Sequence, residues 1–161
     1  MFMSPPTVDE IVRAPGFLIR RCNQVAMALF LEETAGSDLT PAQYGALALI
    51  AIEPGMDQTR LTERTALDRS SVTKCVERLE ARGAIRREID PADKRARRLY
   101  TTDEGLALLA AMEDGVRRTR TRLLAPLGDK RARQFLAMLE EVAEAHNAAS
   151  RVPLRQAVAE A

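Results

Sequence analysis

The stretch that decides the fold is Asp68–Thr101, DRSSVTKCVERLEARGAIRREIDPADKRARRLYT. Its first half places Val72, Cys75, Val76 and Leu79 at helical steps. Asp68 stands where a helix N-cap belongs, and Gly83 where a left-handed stop belongs. The period then changes. Residues 84–89 alternate as a strand, Asp90-Pro91-Ala92-Asp93 is turn chemistry, and Arg95–Thr101 reads as the return strand. A capped helix followed at once by a hairpin predicts the second helix of a helix-turn-helix with a wing behind it.

Upstream, Asp57 caps a short helix containing Leu61, with Ala66 near its end and Leu67 as a tight link. Before that, Thr40-Pro41 pairs an N-cap with proline at the first helical position, and this helix stops before Pro54-Gly55. An earlier helix opens at Pro15 and ends at Gly36. Leu18, Cys22, Val25 and Leu29 form one stripe on it, and Ile19, Ala26 and Phe30 a second. From Val25 onward it is apolar nearly all round, which predicts burial on several sides. Residues 1–12, with Ser4, Pro5 and Pro6, read as a loose arm. Downstream, Thr102 and Gly105 open a long helix carrying Leu106, Leu109, Met112 and Val116. Pro126–Gly128 breaks it, and a last helix from about Asp129 carries Phe135, Leu136, Leu139 and Val142. From Pro153 the pattern gives no element.

The fold class is therefore mainly α with a small β-hairpin wing. Residues 37–102 form a winged helix-turn-helix lobe. Residues 1–36 supply an arm and a first dimerisation helix, and residues 103–161 the remaining dimerisation helices. The broad apolar surfaces of the long terminal helices are expected to pair with a second copy.

Composition agrees. The chain has 161 residues, 46% hydrophobic and 29% charged, with 4% aromatic and no Trp. That suits one domain, or two small lobes sharing a core, built from aliphatic residues on helices. Between Arg69 and Arg98 stand ten Lys/Arg against five Asp/Glu, a net of +5; the whole chain is +1, so the remainder carries −4. A basic block on an acidic body fits either a solvated patch or the footprint of a DNA-binding lobe. Cys22 and Cys75 form no metal or disulfide motif, and His146 is the sole histidine. No cofactor or metal is expected, and a reducing, cytoplasmic setting is. No apolar run is long enough to cross a bilayer, and no signal peptide is expected. An enzyme is disfavoured, because the chain has no Gly-rich phosphate loop, no GxSxG and no HExxH.

The chain resembles the MarR family of bacterial regulators over roughly residues 15–124. The carrying segments are Leu39-Thr40-Pro41-Ala42-Gln43-Tyr44, Leu67-Asp68-Arg69-Ser70-Ser71-Val72-Thr73, Leu79-Glu80-Ala81-Arg82-Gly83 and Asp90-Pro91-Ala92-Asp93-Lys94-Arg95-Ala96. Leu61-Thr62-Glu63-Arg64-Thr65 departs mildly from the family's usual Ala-Glu pair. The resemblance implies an obligate dimer on a palindromic operator in double-stranded DNA, usually a repressor released by a small ligand.

On the helix after Asp68, the outward residues are Arg69, Ser70, Thr73, Lys74 and Arg78, with Ser71 at the first turn. Arg69 and Lys74 can donate to guanine edges, and the short hydroxyls allow close approach to bases or phosphates. The hairpin carries Lys94, Arg95, Arg97 and Arg98. By resemblance, Arg95 is the wing arginine of the minor groove and Asp93 the acid that steadies it. Strand alternation places Arg95 and Arg97 on one face and Lys94 and Arg98 on the other, with Arg98 a candidate structural residue.

The first long helix holds Arg20, Arg21, Asn23 and Gln24 amid apolar residues. The family's ligand cleft lies near this helix and the next, so these four, with Met27, Phe30 and Tyr44, form the candidate effector site. They suit an aromatic acid or its coenzyme A thioester; interchain salt bridges are the other reading. Arg117, Arg118, Arg120 and Arg122 are either a solvated helix face or an anion site. Cys22 lies roughly where peroxide-sensing family members carry theirs, although only Tyr44 and Tyr100 are available as the tyrosines those members place around the sulfur. It is a redox sensor or a small buried hydrophobe. A winged-helix module that binds protein instead of DNA is the remaining alternative.

Overall fold

A computed structural model describes residues 5–150 and 152–154. Ser4 and residues 155–161 lie outside the described residues. Among the described residues, seven α-helices run in chain order as α1 (Val8–Arg13), α2 (Pro15–Glu33), α3 (Pro41–Ile52), α4 (Gln58–Thr65), α5 (Arg69–Ala81), α6 (Asp103–Leu124) and α7 (Gly128–Ala145). A hairpin of β1 (Ile85–Ile89) and β2 (Arg97–Thr101) stands between α5 and α6. The result is a mainly helical chain carrying one small hairpin.

The caps act where their residue types foretell. Thr40 and Gln43 form a reciprocal capping box, with Pro41 at the first helical position of α3. Asp57, Asp68 and Thr102 each accept a backbone N–H from the first turn of α4, α5 and α6. Ala66 ends α4 in the left-handed region at φ +52°, which turns the chain sharply into α5.

β1 and β2 pair antiparallel, with Ile85 opposite Thr101, Arg87 opposite Leu99 and Ile89 opposite Arg97. A third length of chain joins the free side of β2. The Gly55 amide donates to the Leu99 carbonyl at 2.8 Å, and the Leu99 amide to the Met56 carbonyl at 2.9 Å. Leu99 is thereby fixed in the middle of the core with Leu47, Ile50, Leu61, Val72, Val76 and Leu79, all almost wholly buried. Phe30 and Met112 bring α2 and α6 into that core.

Two glycines let α6 touch backbone. A Cβ on Gly105 would lie 2.1 Å from the Ala84 carbonyl oxygen, and one on Gly115 would lie 2.4 Å from that of Glu33. At the first, the base of the hairpin is pinned to the start of α6. Thr102 adds a bond from its hydroxyl to the Gly83 carbonyl at 2.6 Å, and its amide donates to the Ala84 carbonyl at 3.1 Å. At the second, the end of α2 is pinned to the middle of α6.

Three expectations are corrected. The arm is helical over Val8–Arg13, because Thr7 and Glu10 make a complete capping box; Thr-x-x-Glu outweighs the preceding prolines there. Arg95 and Lys94 are not strand residues. The strands end at Ile89 and Arg97, and the connection spans residues 90–96, so strand alternation does not assign faces to Lys94 and Arg95. The second half of α2 is not enclosed by its own chain. Phe30 is its one buried residue, while Val25 and Leu31 stand about half exposed. Likewise α7 buries none of its residues, and Leu136, Met138, Leu139 and Val142 are exposed.

Candidate nucleic-acid interface

The first turn of α5 is organised by Asp68. Its carboxylate accepts from the Ser71 amide at 2.9 Å and from the Ser71 hydroxyl at 2.8 Å. These bonds hold the Asp68 carboxyl below the usual aspartate range. Ser71 thus spends its hydroxyl proton on the cap, and Thr73 donates its own to the Arg69 carbonyl at 2.9 Å. Both oxygens remain able to accept. Val72, Cys75, Val76 and Leu79 bury the opposite face. Arg69, Ser70, Lys74 and Arg78 are exposed, and Arg69, Ser70 and Lys74 have no recorded side-chain partner among the described residues. Burial pushes the Cys75 thiol up, against the pull of nearby Arg78, so Cys75 is a core residue.

The hairpin tip is built by two aspartates. Asp90 accepts from the Ala92 amide at 2.8 Å and pairs with Arg98 Nε at 2.8 Å. Arg98 therefore has a structural role. Its guanidinium and the Ala92 amide lower the Asp90 carboxyl. Asp93 accepts from the Arg95 amide at 2.9 Å, and its carbonyl accepts from the Ala96 amide at 2.9 Å. Asp93 steadies the backbone on which Arg95 is mounted. The Lys94 and Arg95 side chains are exposed and have no recorded partner among the described residues. Arg97 is exposed too, but folds back to donate to the Lys94 and Ala96 carbonyls at 3.0 and 3.2 Å. Exposed cations without an ion partner thus collect at the start of α5 and the tip of the hairpin.

The effector candidates are spread along α2. Arg20 lies over the Phe17 ring at 5.2 Å, and Asn23 donates to the Met27 sulfur at 3.7 Å. Arg20, Arg21, Asn23, Gln24 and Met27 are exposed. Phe30 is buried and packs against Tyr44, their ring centres 5.8 Å apart. Five of the seven candidates therefore lie on the surface of the single chain. A cavity of about 460 Å³ lies at the other end of α2, lined by Thr34, Ser37, Leu108, Met112, Gly115 and Arg118 among others, and contains none of them. Cys22 is exposed, which overturns its reading as a buried hydrophobe within this chain.

Further ion pairs, local and long-range, join the helices. Glu33, at the end of α2, accepts from Arg118 Nε at 2.6 Å and pairs with Arg122; both guanidinia hold its carboxyl down. Arg117 pairs with Asp114 at 2.6 Å. Three of the four arginines in that cluster are thus engaged with acids, which weighs against an anion site. Glu53 receives Arg60 and Arg64, and Glu80 receives Arg87. Among the described residues, no helix is long and apolar enough to cross a membrane.

The MarR family model matches residues 37–96, the winged lobe as far as the hairpin tip. A protein of Thauera aromatica assigned as the transcriptional regulatory protein for the hcr operon is 34% identical over 128 residues, covering 79% of this chain and 77% of that one. The chain belongs to the MarR family. It is a DNA-binding transcriptional regulator and not an enzyme. The MarR-type fold is equally plain in solved structures. The PcaV regulator of Streptomyces coelicolor, in complex with its natural ligand, superposes with a TM-score of 0.80 at 34% identity, covering 88% of this chain and 99% of that one. The repressor CouR, bound to a 23-mer DNA duplex, gives 0.78 at 31% identity, covering 87% and 99%. CouR has also been solved with p-coumaroyl-CoA, at a TM-score of 0.77, 29% identity and coverage of 86% and 98%.

Proposed function

We propose that this MarR-family chain is a homodimeric, cytoplasmic repressor that reads a palindromic operator through Arg69, Ser70, Ser71, Thr73, Lys74, Arg78, Lys94, Arg95 and Arg97. The observation that carries this reading is the pair of exposed cationic clusters at the start of α5 and at the hairpin tip. The N-terminal end of α5 meets base edges in the major groove, with its helix dipole favouring phosphate. Arg95, mounted on the Asp93 turn, enters the adjoining minor groove, where a narrow cleft concentrates negative potential. The uncovered apolar faces of α2 and α7 support pairing of residues 1–36 and 103–161 with a second copy, leaving residues 37–102 as the reading lobe. Its test is a gel-shift titration on a duplex selected by the wild-type protein from a random pool. Arg95→Ala weakens binding by roughly 1–3 kcal/mol, with the dimer intact. Affinity falls steeply with salt, because neutralised phosphates release counterions. Unchanged affinity for Arg95→Ala removes Arg95 from the interface. Indifference to salt and to loss of Lys74 turns the lobe into a protein-binding module instead.

The effector is a small anionic aromatic compound, an acid or its coenzyme A thioester. The structure of CouR bound to p-coumaroyl-CoA supports the thioester form of this class, and that of PcaV with its natural ligand supports a bound effector. Arg20 and Arg21 supply charge for a carboxylate or phosphate, Asn23 and Gln24 supply amides, and Met27, Phe30 and Tyr44 supply apolar contact. Thermal-shift screening against free aromatic acids and their thioesters tests it. If neither class raises the melting temperature or releases DNA, the effector class is wrong. The exposure of Cys22 favours one second reading, regulation by oxidation of that thiol. A Cys22→Ser protein that no longer responds to peroxide supports it, and one that responds as before eliminates it.

A further inference from the structure

The start of α5 and the hairpin tip can engage one duplex together only if the angle between helix and hairpin is fixed. The link between α5 and β1 is three residues long, Arg82–Ala84. Its base is closed by the Ala84 amide, which donates to the Leu79 carbonyl at 2.9 Å, and by buried Ile85. Ile85, Arg87 and Ile89 share one face of the hairpin. Along that face Ile85 is core, Arg87 meets α5, and Ile89 is 58% exposed. Arg87 donates through Nε to Glu80 at 2.8 Å and through Nη2 to the same oxygen. The two side chains are only 30% and 38% exposed. Glu77, one turn earlier on α5, adds to the field that favours the charged guanidinium.

We propose that Glu80 and Arg87 form a strut between recognition helix and wing, and are positioning residues for operator binding. This rests on the reading that both cationic clusters touch DNA. Geometry explains the leverage. The tip lies about 15 Å beyond the hairpin's base, at 3.4 Å per strand residue. A tilt of about 10° carries it roughly 2.6 Å, enough to break any hydrogen bond it makes. The sign of the effect separates this role from plain electrostatics. Glu80 is an acid beside a cationic surface, so its charge alone repels DNA, and its removal should tighten binding. As half of a strut, its removal loosens binding.

The experiment measures fluorescence anisotropy of the full chain on two duplexes, one selected by the wild-type protein from a random pool and one scrambled. Glu80→Gln is expected to weaken the selected duplex about tenfold and to leave the scrambled one unchanged or tighter. Exchange of the pair, Glu80→Arg with Arg87→Glu, is expected to recover affinity to within about threefold. Arg87→Lys, which keeps charge but loses the two-donor grip, should weaken the selected duplex in the same direction as Glu80→Gln. Equal or tighter binding by Glu80→Gln overturns the strut, as does equal loss on both duplexes or failure of the exchanged pair to recover. Arg69→Ala and Arg95→Ala run alongside. If they bind as wild type, the interface reading fails and takes the strut with it; if they weaken binding while Glu80→Gln does not, the strut alone is wrong.

Discussion

Gly105→Ala sets two well-understood effects against each other. Gly105 lies in the first turn of α6, where replacing glycine by alanine normally stabilises a helix by roughly 0.5–1 kcal/mol. Here the new Cβ would sit 2.1 Å from the Ala84 carbonyl oxygen and 2.7 Å from the Thr101 methyl. Relief to an ordinary contact requires a shift of about 1.3 Å. The nearest obstacle is backbone, which cannot swing aside, so α6 must lift from the hairpin base. That endangers the Thr102 hydroxyl bond to Gly83 and the Thr102 amide bond to Ala84. Overpacking costs roughly 1–3 kcal/mol, and the two hydrogen bonds contribute about 1 kcal/mol each. The net is a destabilisation of about 2–4 kcal/mol, which for a chain of this length lowers the melting temperature by about 5–15 °C. Urea and thermal unfolding at one fixed protein concentration measure it, since any self-association makes stability concentration-dependent. An unchanged or raised midpoint refutes the close backbone approach.

Leu47→Ala removes a fully buried α3 side chain from the core and should cost roughly 2–5 kcal/mol, read as a lower urea midpoint; a change below about 1 kcal/mol would mean the site collapses freely. Acid should act through Asp90, whose carboxyl is lowered in the folded state by Arg98 and the Ala92 amide. A lowered group stabilises the fold above its unfolded value, and that contribution disappears as pH falls through the folded one. Melting temperatures followed downward from neutral pH should therefore converge for wild type and Asp90→Asn once the usual aspartate range is passed. Parallel curves contradict this.

What could be read from the chain was local. Thr40, Asp57, Asp68 and Thr102 announce their helices because a cap is satisfied within one turn, and Val72, Cys75, Val76 and Leu79 announce a buried face because helical period is a property of neighbours. The same signal was present at Thr7 and Glu10, but two prolines beside it argued for an arm. The hairpin was legible and its register was not, because the length of the connection depends on how Asp90 and Asp93 fold the turn. The pairs of Glu33 with Arg118 and Arg122 span more than eighty residues and leave no trace in spacing. Glu80 with Arg87 crosses a change from helix to strand, where neither period applies.

Among the described residues, the buried hydrophobic core ends at Met112 in chain order and includes nothing from α7. The hydrophobic interior that shapes the reading lobe is therefore complete before the last helix begins. In the homodimer proposed above, substitutions along Gly128–Ala145 would alter which chains associate, or how firmly, while leaving in place the buried core beneath α5 and the hairpin. In such a molecule, partner choice and sequence preference can drift on independent schedules, and duplicated copies could cease to mix while still competing for the same sites.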